Sequence, residues 1–380
     1  MTKPLVVIGS GLAGYNVVKE VRKLDDERKI IVITQDDGRQ YSKPMLSTGF
    51  SKQKDSHGLT MNDAGSMAEQ FKLEIRTHQT VSAIAPQTQT IAIGSESIEY
   101  GDLVLALGAS PISLPIDGFE HSHQVNDLDD YQSFYEHVQN KKRILVMGAG
   151  LVGVEYAHDL ASAGFEVDIV APDSQPLNRL VPEPCGEALI PALQALGAKL
   201  HLEASVVKIE AQGDGYVVTL NDGRQLQTDV VLSAVGLKAN SDLAQAAGLD
   251  VAKAIVVDRQ LQTSAPHIYA LGDCAEVAGH HLLYVLPLMN CARALAKTLT
   301  GTPTEVVYPV MPVMVKTPSL PVVACPPPEN IEGSWQYHGQ IPHLKALFMD
   351  SEQNLRGYAL TGDCVAEKIK LNKELPALLA

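Results

Sequence analysis

The chain contains the same strand–glycine turn–helix pattern twice, and this duplication restricts the folds open to it. An apolar run precedes each turn, in "PLVVIGSGLAGYNVVKE" and in "RILVMGAGLVGVEYA". The glycines that define the two turns are Gly9, Gly11, Gly14, Gly148, Gly150 and Gly153. In such a turn the first glycine forms the tight bend, the second lets a pyrophosphate approach the backbone, and the third lets the helix pack on the strand. The helix N-terminus adds unpaired N–H groups and the positive end of the helix dipole. Two turns therefore predict two bound dinucleotides, with hydride transfer between them.

Each glycine turn begins a longer unit, and both units have the same order. After β-α-β, the first unit continues with "TVSAI", "TIAI" and "SIEY" and closes on "DLVLALG". The second continues with "SVVKIEA", "YVVTL" and "QLQT" and closes on "DVVLSAVG". Turn residues between the short stretches predict a three-stranded meander, and the apolar closing strands are typical of a parallel sheet buried on both faces. The β-α-β segments predict the strands Leu5–Ile8, Ile30–Thr34, Arg143–Met147 and Glu166–Val170, and helices from Leu12 to about Leu24 and from Leu151 to Ala163. The predicted fold class is α/β with two Rossmann-like dinucleotide-binding folds.

Composition excludes several function classes. No apolar run reaches the roughly 18 residues of a membrane-spanning helix, and the N-terminus lacks the pattern of a secretory signal, which favours the cytoplasm. A net charge of -14 makes nucleic acid or an anionic membrane an unfavourable partner. The five cysteines have no spacing that would hold zinc or an iron–sulfur cluster, so we predict no metal and interpret each cysteine as a buried free thiol.

Acidic residues after the second strand of each unit are candidates for binding the adenosine ribose. In the first unit, Asp36 and Asp37 lie just past that strand. In the second unit the strand ends in "DIVAPD", with Ala171 at the usual acidic position and Asp173 two residues later. Because a 2′-phosphate would require a nearby Arg or Lys and the nearest is Arg179, this pattern favours NADH over NADPH.

Asp273 is a further candidate, in "TSAPHIYALGDCAE", where it follows another short apolar strand. A carboxylate held there is able to accept hydrogen bonds from a ribityl chain. The alternative is that Asp273 caps the helix that follows, and the two roles are compatible.

These motifs together resemble the pyridine-nucleotide–disulfide-reductase superfamily of flavoproteins, in its branch without a redox disulfide. Within it the chain is most similar to the NADH:rubredoxin reductases, with the flavorubredoxin reductases close behind. The stretches that carry the resemblance are "GSGLAGYN", "DDGRQYSKPMLSTGFS", "GAGLVGVEYA", "IYALGDCAE", "LLYVLPLMNCARALA", "MVKTPSLP" and "LNKELP". The resemblance implies a discontinuous FAD-binding domain, 1–110 and 244–308, with an NAD(H)-binding domain, 111–243, inserted in it. It also implies a small α+β C-terminal domain, 309–380, that covers the flavin.

The same resemblance places FAD on the first glycine turn and on Asp273, and NADH on the second turn. The expected FAD contacts are Gly9, Gly11, Leu12, Ala13, Gly14, Thr34, Gln35, Asp36, Lys43, Pro44, Val81, Gly108, Glu155, Asp273, Val285 and Lys316. The expected NADH contacts are Gly148, Gly150, Leu151, Val152, Gly153, Glu155, Asp173 and Gly236.

Glu155 is expected in the first turn of the second helix, where the resemblance places the meeting point of the two nucleotides. In related reductases the matching glutamate pairs with a lysine near flavin N5, in the pattern Arg-Pro-x-Leu-Ser-Lys. Here the pattern reads "KPMLST", so Lys43 replaces the arginine and Thr48 replaces the lysine. Lys43 and Lys316 are therefore the candidate partners of Glu155, and we expect these three residues to tune the flavin without forming a covalent bond. Lys316 and the N–H groups of a helix after Pro287 are candidates for stabilising the reduced flavin. The alternatives are surface lysines and a glutamate favoured by the helix dipole alone.

The resemblance implies an enzyme that passes electrons from NADH through FAD to rubredoxin, one electron at a time. Rubredoxins are generally acidic, as this chain is, so a small and partly apolar docking patch is expected for a transient encounter. Other functions stay open: reduction of a [2Fe–2S] ferredoxin or of a flavorubredoxin, and a non-catalytic FAD/NADH redox sensor. An NADH oxidase or peroxidase is disfavoured, because such enzymes normally have a reactive cysteine in the first unit and none precedes Cys185. Alkane hydroxylation and oxygen detoxification are both compatible pathways.

Overall fold

A computed structural model describes residues 3–380 and contains two parallel five-stranded sheets, each centred on the strand that precedes a glycine turn. The strands of the first sheet are, in spatial order, Ile268–Ala270, Asp102–Leu105, Leu5–Ile8, Ile30–Ile33 and Glu74–Arg76. Those of the second are Ser122–Gln124, Val230–Ser233, Arg143–Met147, Glu166–Val170 and Lys199–His201. All neighbouring strands in both sheets are parallel. The glycine turn therefore follows the middle strand of each sheet, which places it at the carboxyl edge where α/β sheets bind ligands.

Apolar periodicity explains the helix that follows the first turn, Leu12–Arg22. Its buried side chains include Val17, Val18 and Val21, in which Val21 lies four and three residues after the other two, the spacing of one helix face. The helix ends two residues before the predicted Leu24. It stops there because the Asp25 carboxylate accepts the N–H groups of the next turn. The long helix Val285–Leu299 packs beside it.

The meander of each unit is present as a separate antiparallel three-stranded sheet. Its strands are Ala83–Ala85, Thr90–Ile93 and Glu96–Glu99 in the first unit, and Val206–Gln212, Gly215–Leu220 and Gln225–Thr228 in the second. The two units are joined by an antiparallel pair, Ala109–Pro111 with Leu237–Ala239. This pair directly follows the two closing glycines of the sequence pattern. The predicted α/β class with two Rossmann-like units is confirmed.

The last part of the chain forms an antiparallel five-stranded sheet. Its strands are, in spatial order, Val313–Val315, Val322–Cys325, Leu355–Thr361, His343–Asp350 and Gly333–Gln340. Lys368–Glu374 is a helix that follows the sheet. The residues after Cys325 in "CPPPEN" form the predicted loop.

A shared hydrophobic cluster connects these parts around the second unit. It contains Leu46 and Phe50 from the first unit, Val154 and Leu160 from the helix Leu151–Ser162, and Val315 from the C-terminal sheet. The helix after the second glycine turn therefore lies in contact with both other parts of the molecule. Side chains of this helix can therefore contact residues of the first unit and of the C-terminal sheet at the same time.

Shorter elements complete the fold. The remaining helices are Ser56–Leu59, Ala64–Phe71, Leu128–His137, Glu183–Glu187, Leu189–Ala195 and Asp242–Ala246, with 3₁₀ turns at Lys43–Thr48, Phe119–His121, Gly272–Cys274 and Gly362–Glu367. The remaining strands are Gln40–Tyr41, Thr60–Asn62, Ile255–Val257 and Ala275–Val277. Among the helices of residues 3–380, none has the length and apolar character needed to cross a membrane.

Candidate functional site

The first glycine turn has a backbone that only glycine tolerates at two of its three positions. Gly9 has φ +111°, and a Cβ there would lie 2.3 Å from the Ala106 carbonyl oxygen. A Cβ on Gly14 would lie 1.9 Å from the Gly9 carbonyl oxygen. At Gly11, by contrast, a Cβ would meet no described atom within 4 Å. The open space at the second glycine is where a pyrophosphate approaches the backbone in this type of turn.

The second turn repeats this geometry. Gly148 has φ +103°, and its Cβ would lie 2.6 Å from the Ala234 carbonyl oxygen, while a Cβ on Gly153 would lie 2.0 Å from the Gly148 carbonyl oxygen. A Cβ on Gly150, as on Gly11, would meet no described atom within 4 Å. Neither helix has a side chain that caps its N-terminus, so the first N–H groups are available to a phosphate. The residues present therefore fit one dinucleotide at each turn.

Asp36 closes the first turn from the end of the second strand. Its Oδ1 accepts hydrogen bonds from Thr34 Oγ1 at 2.6 Å and from Ser10 Oγ at 2.9 Å, and from the Gly38 N–H at 2.9 Å. Asp37 instead forms an ion pair with an arginine side chain. Of the two predicted acids, Asp36 is thus the one that lies at the glycine turn.

Asp173 lies just beyond the strand Glu166–Val170 of the second unit, partly buried. Its Oδ1 accepts a hydrogen bond from Asn178 Nδ2 at 2.9 Å. Arg179 is exposed, and Ala171 is buried in the shared hydrophobic cluster. This arrangement leaves a carboxylate, rather than a cation, at the place where the adenosine ribose is expected.

Asp273 lies beside the first helix, because Gly272 has φ +76° and a Cβ there would come within 2.9 Å of the Ala13 Cβ. Its charge also reaches Lys43. Burial lowers the pKa of the Lys43 ammonium, and the negative charge of Asp273 opposes that shift. Asp273 occurs in the 3₁₀ turn Gly272–Cys274, so it does not cap an α-helix, and that alternative is wrong.

The most connected group of side chains surrounds Glu155, which is 3% exposed. Ser47 Oγ donates to Glu155 Oε2 at 2.8 Å, and the Lys316 backbone N–H donates to Oε1 at 3.1 Å. The Lys316 ammonium forms an ion pair with Glu155 Oε2. It also donates to the Pro44 carbonyl at 2.7 Å and to Ser47 Oγ at 3.0 Å. The network joins the 3₁₀ segment Lys43–Thr48, the second dinucleotide helix and the C-terminal part.

This network resolves the predicted choice between two lysines. Lys316 is the cationic partner of Glu155. Lys43 donates instead to Asn126 Oδ1 at 2.7 Å, so its assignment as a partner of Glu155 is wrong. Thr48, at the position of the missing lysine, donates to the Met45 carbonyl at 3.2 Å within its own turn.

Two local expectations about helices also need correction. Glu155 is the fifth residue of Leu151–Ser162 and lies in its second turn, so the expectation of a first-turn acid is wrong and the helix dipole does not explain it. The other helix begins at Val285, before Pro287. Tyr284 and Leu286 at its start are partly exposed, and its N-terminus has no side-chain cap.

The other predicted contacts lie on or near the two turns and the connecting pair. Leu12, Ala13, Leu151 and Val152 begin the two helices, and Thr34 is buried while the adjacent Gln35 is exposed. Val81 is buried in the first core, whereas Gly108 and Gly236 have φ +67° and +123° beside the connecting strands.

Sequence reasoning missed three polar residues: Ser10, Ser47 and Asn126. Ser10 and Ser47 lie inside the quoted motifs, so their positions were a usable signal. Asn126 Nδ2 also donates to the Ala109 carbonyl at 2.9 Å. Because its bond with Lys43 joins residues 83 positions apart, no local pattern indicates it.

The cysteines are free, and Cys185, Cys274 and Cys291 are buried, as predicted. Cys325 and Cys364 are only partly buried, so the prediction is wrong for them. Burial raises the pKa of the Cys185 thiol to about 12 and that of Cys274 to about 11. The thiolate, which is the reactive form, is therefore disfavoured at these positions at neutral pH.

Comparisons with known proteins cover the whole chain. Residues 3–297 match the family described as pyridine nucleotide-disulphide oxidoreductase, and residues 305–375 match the rubredoxin binding C-terminal domain. The chain is 48% identical to a rubredoxin-NAD(+) reductase of Alcanivorax borkumensis over 379 residues, 99% of each chain. It is 40% identical to a nitric oxide reductase FlRd-NAD(+) reductase of Aeromonas salmonicida, over 99% of this chain and 97% of the relative. The crystal structure of the ferredoxin reductase for the CYP199A2 system from Rhodopseudomonas palustris superposes with a TM-score of 0.88 at 25% identity, over 100% of this chain and 96% of that chain.

Proposed function

Because the chain belongs to the pyridine nucleotide-disulphide oxidoreductase family, we propose that it is a flavoprotein enzyme that passes electrons from NADH through FAD to rubredoxin. The observation that carries this proposal is the pair of glycine turns, each with an open second glycine and a helix without a side-chain cap. Bound FAD would supply the redox chemistry, namely acceptance of a hydride from NADH and release of the two electrons one at a time. The protein contributes binding, orientation and charge.

The first turn and Asp36 hold FAD, and the second turn holds NADH. We also propose the FAD and NADH contacts that the sequence predicts. The proposed domains are the FAD-binding domain, 1–110 with 244–308, the NAD(H)-binding domain, 111–243, and the C-terminal domain, 309–380. Asp173 supports NADH over NADPH, since a 2′-phosphate would meet its carboxylate without a basic partner nearby.

Glu155 and Lys316 hold the parts of the site together. The helix that contains Glu155 starts at the proposed NADH turn. The Glu155 carboxylate binds Ser47 of the first unit and Lys316 of the C-terminal part. The Lys316 ammonium therefore lies where the three parts meet, fixed by three acceptors. We assign it the electrostatic stabilisation of the reduced flavin, a role for which the sequence named Lys316 together with the N–H groups of the helix near Pro287.

The C-terminal part is the basis on which we propose the electron acceptor. Its match to the rubredoxin binding domain and the 48% identical relative both favour rubredoxin. The relative from Aeromonas salmonicida makes a flavorubredoxin the second candidate. A cytoplasmic location is proposed from the sequence alone.

The test is anaerobic mixing of the purified yellow protein with NADH, followed by addition of an acceptor. We expect the flavin absorbance to bleach within seconds and rubredoxin to be reduced faster than a flavorubredoxin or a [2Fe–2S] ferredoxin. NADPH in place of NADH is the matched control and is expected to react more slowly. Bleaching over many minutes would favour the redox sensor, and faster reduction of another acceptor would overturn the choice of rubredoxin.

A further inference from the structure

His158 is a buried side chain, 6% exposed, that the proposed reaction does not use. It lies three residues after Glu155 on the helix Leu151–Ser162, so both side chains project from the same face. The Ser319 backbone N–H donates to His158 Nε2 at 3.2 Å, and Ser319 Oγ lies 2.9 Å from the same nitrogen. The other ring nitrogen, Nδ1, lies 3.5 Å from Ser162 Oγ.

These contacts require a neutral ring. Because Nε2 accepts a backbone N–H, it carries no proton, and the proton of the neutral ring lies on Nδ1 toward Ser162. Burial lowers the pKa of His158, and the charge of the neighbouring Asp159 opposes that shift. The lower pKa is consistent with a ring that serves as an acceptor.

One helix face therefore binds the segment Lys316–Ser319 at both ends. Glu155 accepts the Lys316 backbone N–H, and His158 accepts the Ser319 backbone N–H. The Leu320 backbone N–H donates to the Thr317 carbonyl at 3.0 Å, and the Thr317 hydroxyl donates to the Leu320 carbonyl at 2.8 Å, so the chain forms a tight turn here. The turn determines the direction in which the Lys316 side chain leaves the backbone.

The same helix is attached to the first unit by a separate contact. The Asp159 carboxylate accepts the backbone N–H of Phe50 at 2.8 Å and that of Ser51 at 3.3 Å. The position of the helix against the first unit is thus held without His158. The contact of His158 acts on the C-terminal segment alone.

We propose that His158 is a positioning residue, whose bond to Ser319 holds the Lys316–Ser319 turn so that the Lys316 ammonium stays at the Glu155 carboxylate. Its importance for electron transfer rests on the proposed function, in which Lys316 stabilises the reduced flavin. Its effect on the turn does not rest on that function and is measured separately.

The test compares two substitutions of His158 in the flavin-loaded protein. His158→Leu keeps a similar volume without an acceptor, and His158→Gln keeps an acceptor. His57→Leu is the matched control, because His57 is exposed. We expect His158→Leu to raise the hydrogen-exchange rate of the peptide that contains 316–320 about tenfold, the effect of losing one hydrogen bond. The exchange of Phe50 and Ser51 should not change, and His158→Gln should restore most of the protection.

Flavin reduction by NADH is the second readout. His158→Leu should lower its limiting rate about tenfold and leave the KM for NADH within about twofold. In a Lys316→Met background the same substitution should lower the rate by less than about twofold, because its effect acts through Lys316. If His158→Leu does not fold, His158→Asn, which is too short to reach Ser319, is expected to act in the same direction.

Two results would overturn the proposal: unchanged exchange of the 316–320 peptide in His158→Leu, or an equal loss of rate with and without Lys316. A wild-type protein whose flavin NADH does not reduce would instead contradict the proposed function, while the exchange experiment would still test the turn.

Discussion

Removing the Lys316 ammonium tests whether the contact with Glu155 holds the molecule together. The carboxylate of Glu155 is 4% exposed and the Lys316 side chain 30% exposed. Lys316→Met keeps an unbranched side chain, one atom shorter, and the backbone N–H that donates to Glu155, but removes the charge. Glu155 then keeps a buried negative charge without its cation.

Breaking a buried ion pair by removing one partner costs about 3–5 kcal/mol. The lower value, about 3 kcal/mol, applies here because the Ser47 hydroxyl and the Lys316 backbone N–H still bind the carboxylate. The unfolding entropy of a chain of 380 residues converts this to a fall in Tm of about 4 °C if the chain unfolds as one unit.

The assay is thermal unfolding followed by circular dichroism at a constant excess of FAD, since bound ligand shifts Tm. Lys72→Met is the control, because Lys72 is 64% exposed and its nearest carboxylate oxygen is 3.7 Å away, and its Tm should stay close to that of the wild type. The double variant Glu155→Gln with Lys316→Met should recover about half of the loss, as both charges are then absent. A Tm for Lys316→Met equal to that of Lys72→Met would refute the reasoning.

Three further outcomes are expected. Gly153→Ala places a methyl group against the Gly148 carbonyl, so NADH affinity measured by titration should fall at least about tenfold while the FAD content stays unchanged; unchanged affinity would contradict the assignment of the second turn. Asp36→Ala should lower the flavin content of the purified protein because it removes the acceptor at the first turn, whereas Asp37→Ala should not; equal flavin content in the two variants would refute the distinction. Burial, together with the charge of His137, lowers the pKa of His123 to about 4. Between this value and the ordinary pKa of about 6.5, the unfolded chain binds a proton that the folded chain does not. The free energy of unfolding should therefore fall as the pH drops from about 6.5 to 4. Urea unfolding should show a smaller fall in His123→Gln, and an identical fall would contradict this cause.

The sequence was sufficient to predict the strands and glycine turns of the two dinucleotide-binding units. Strands such as Leu5–Ile8 and Arg143–Met147 were predicted to the residue, because continuous apolar runs and glycine turns are local properties of the chain. The glycine spacing of each turn is also local, and the structure explains it: a positive φ or a close backbone contact excludes other residue types at the first and third glycines, whereas the second faces open space.

Only the tertiary structure decided which side chains meet between those units. Glu155 and Lys316 are 161 positions apart, and the choice of Lys316 over Lys43 depends on where the C-terminal segment packs. The roles of Asn126 and His158 likewise follow only from the structure, because their hydrogen-bond partners come from distant segments of the chain. Periodicity and turn chemistry report on neighbours along the chain, whereas the partner of a buried charge is set by the packing of whole elements, which no short stretch of sequence contains.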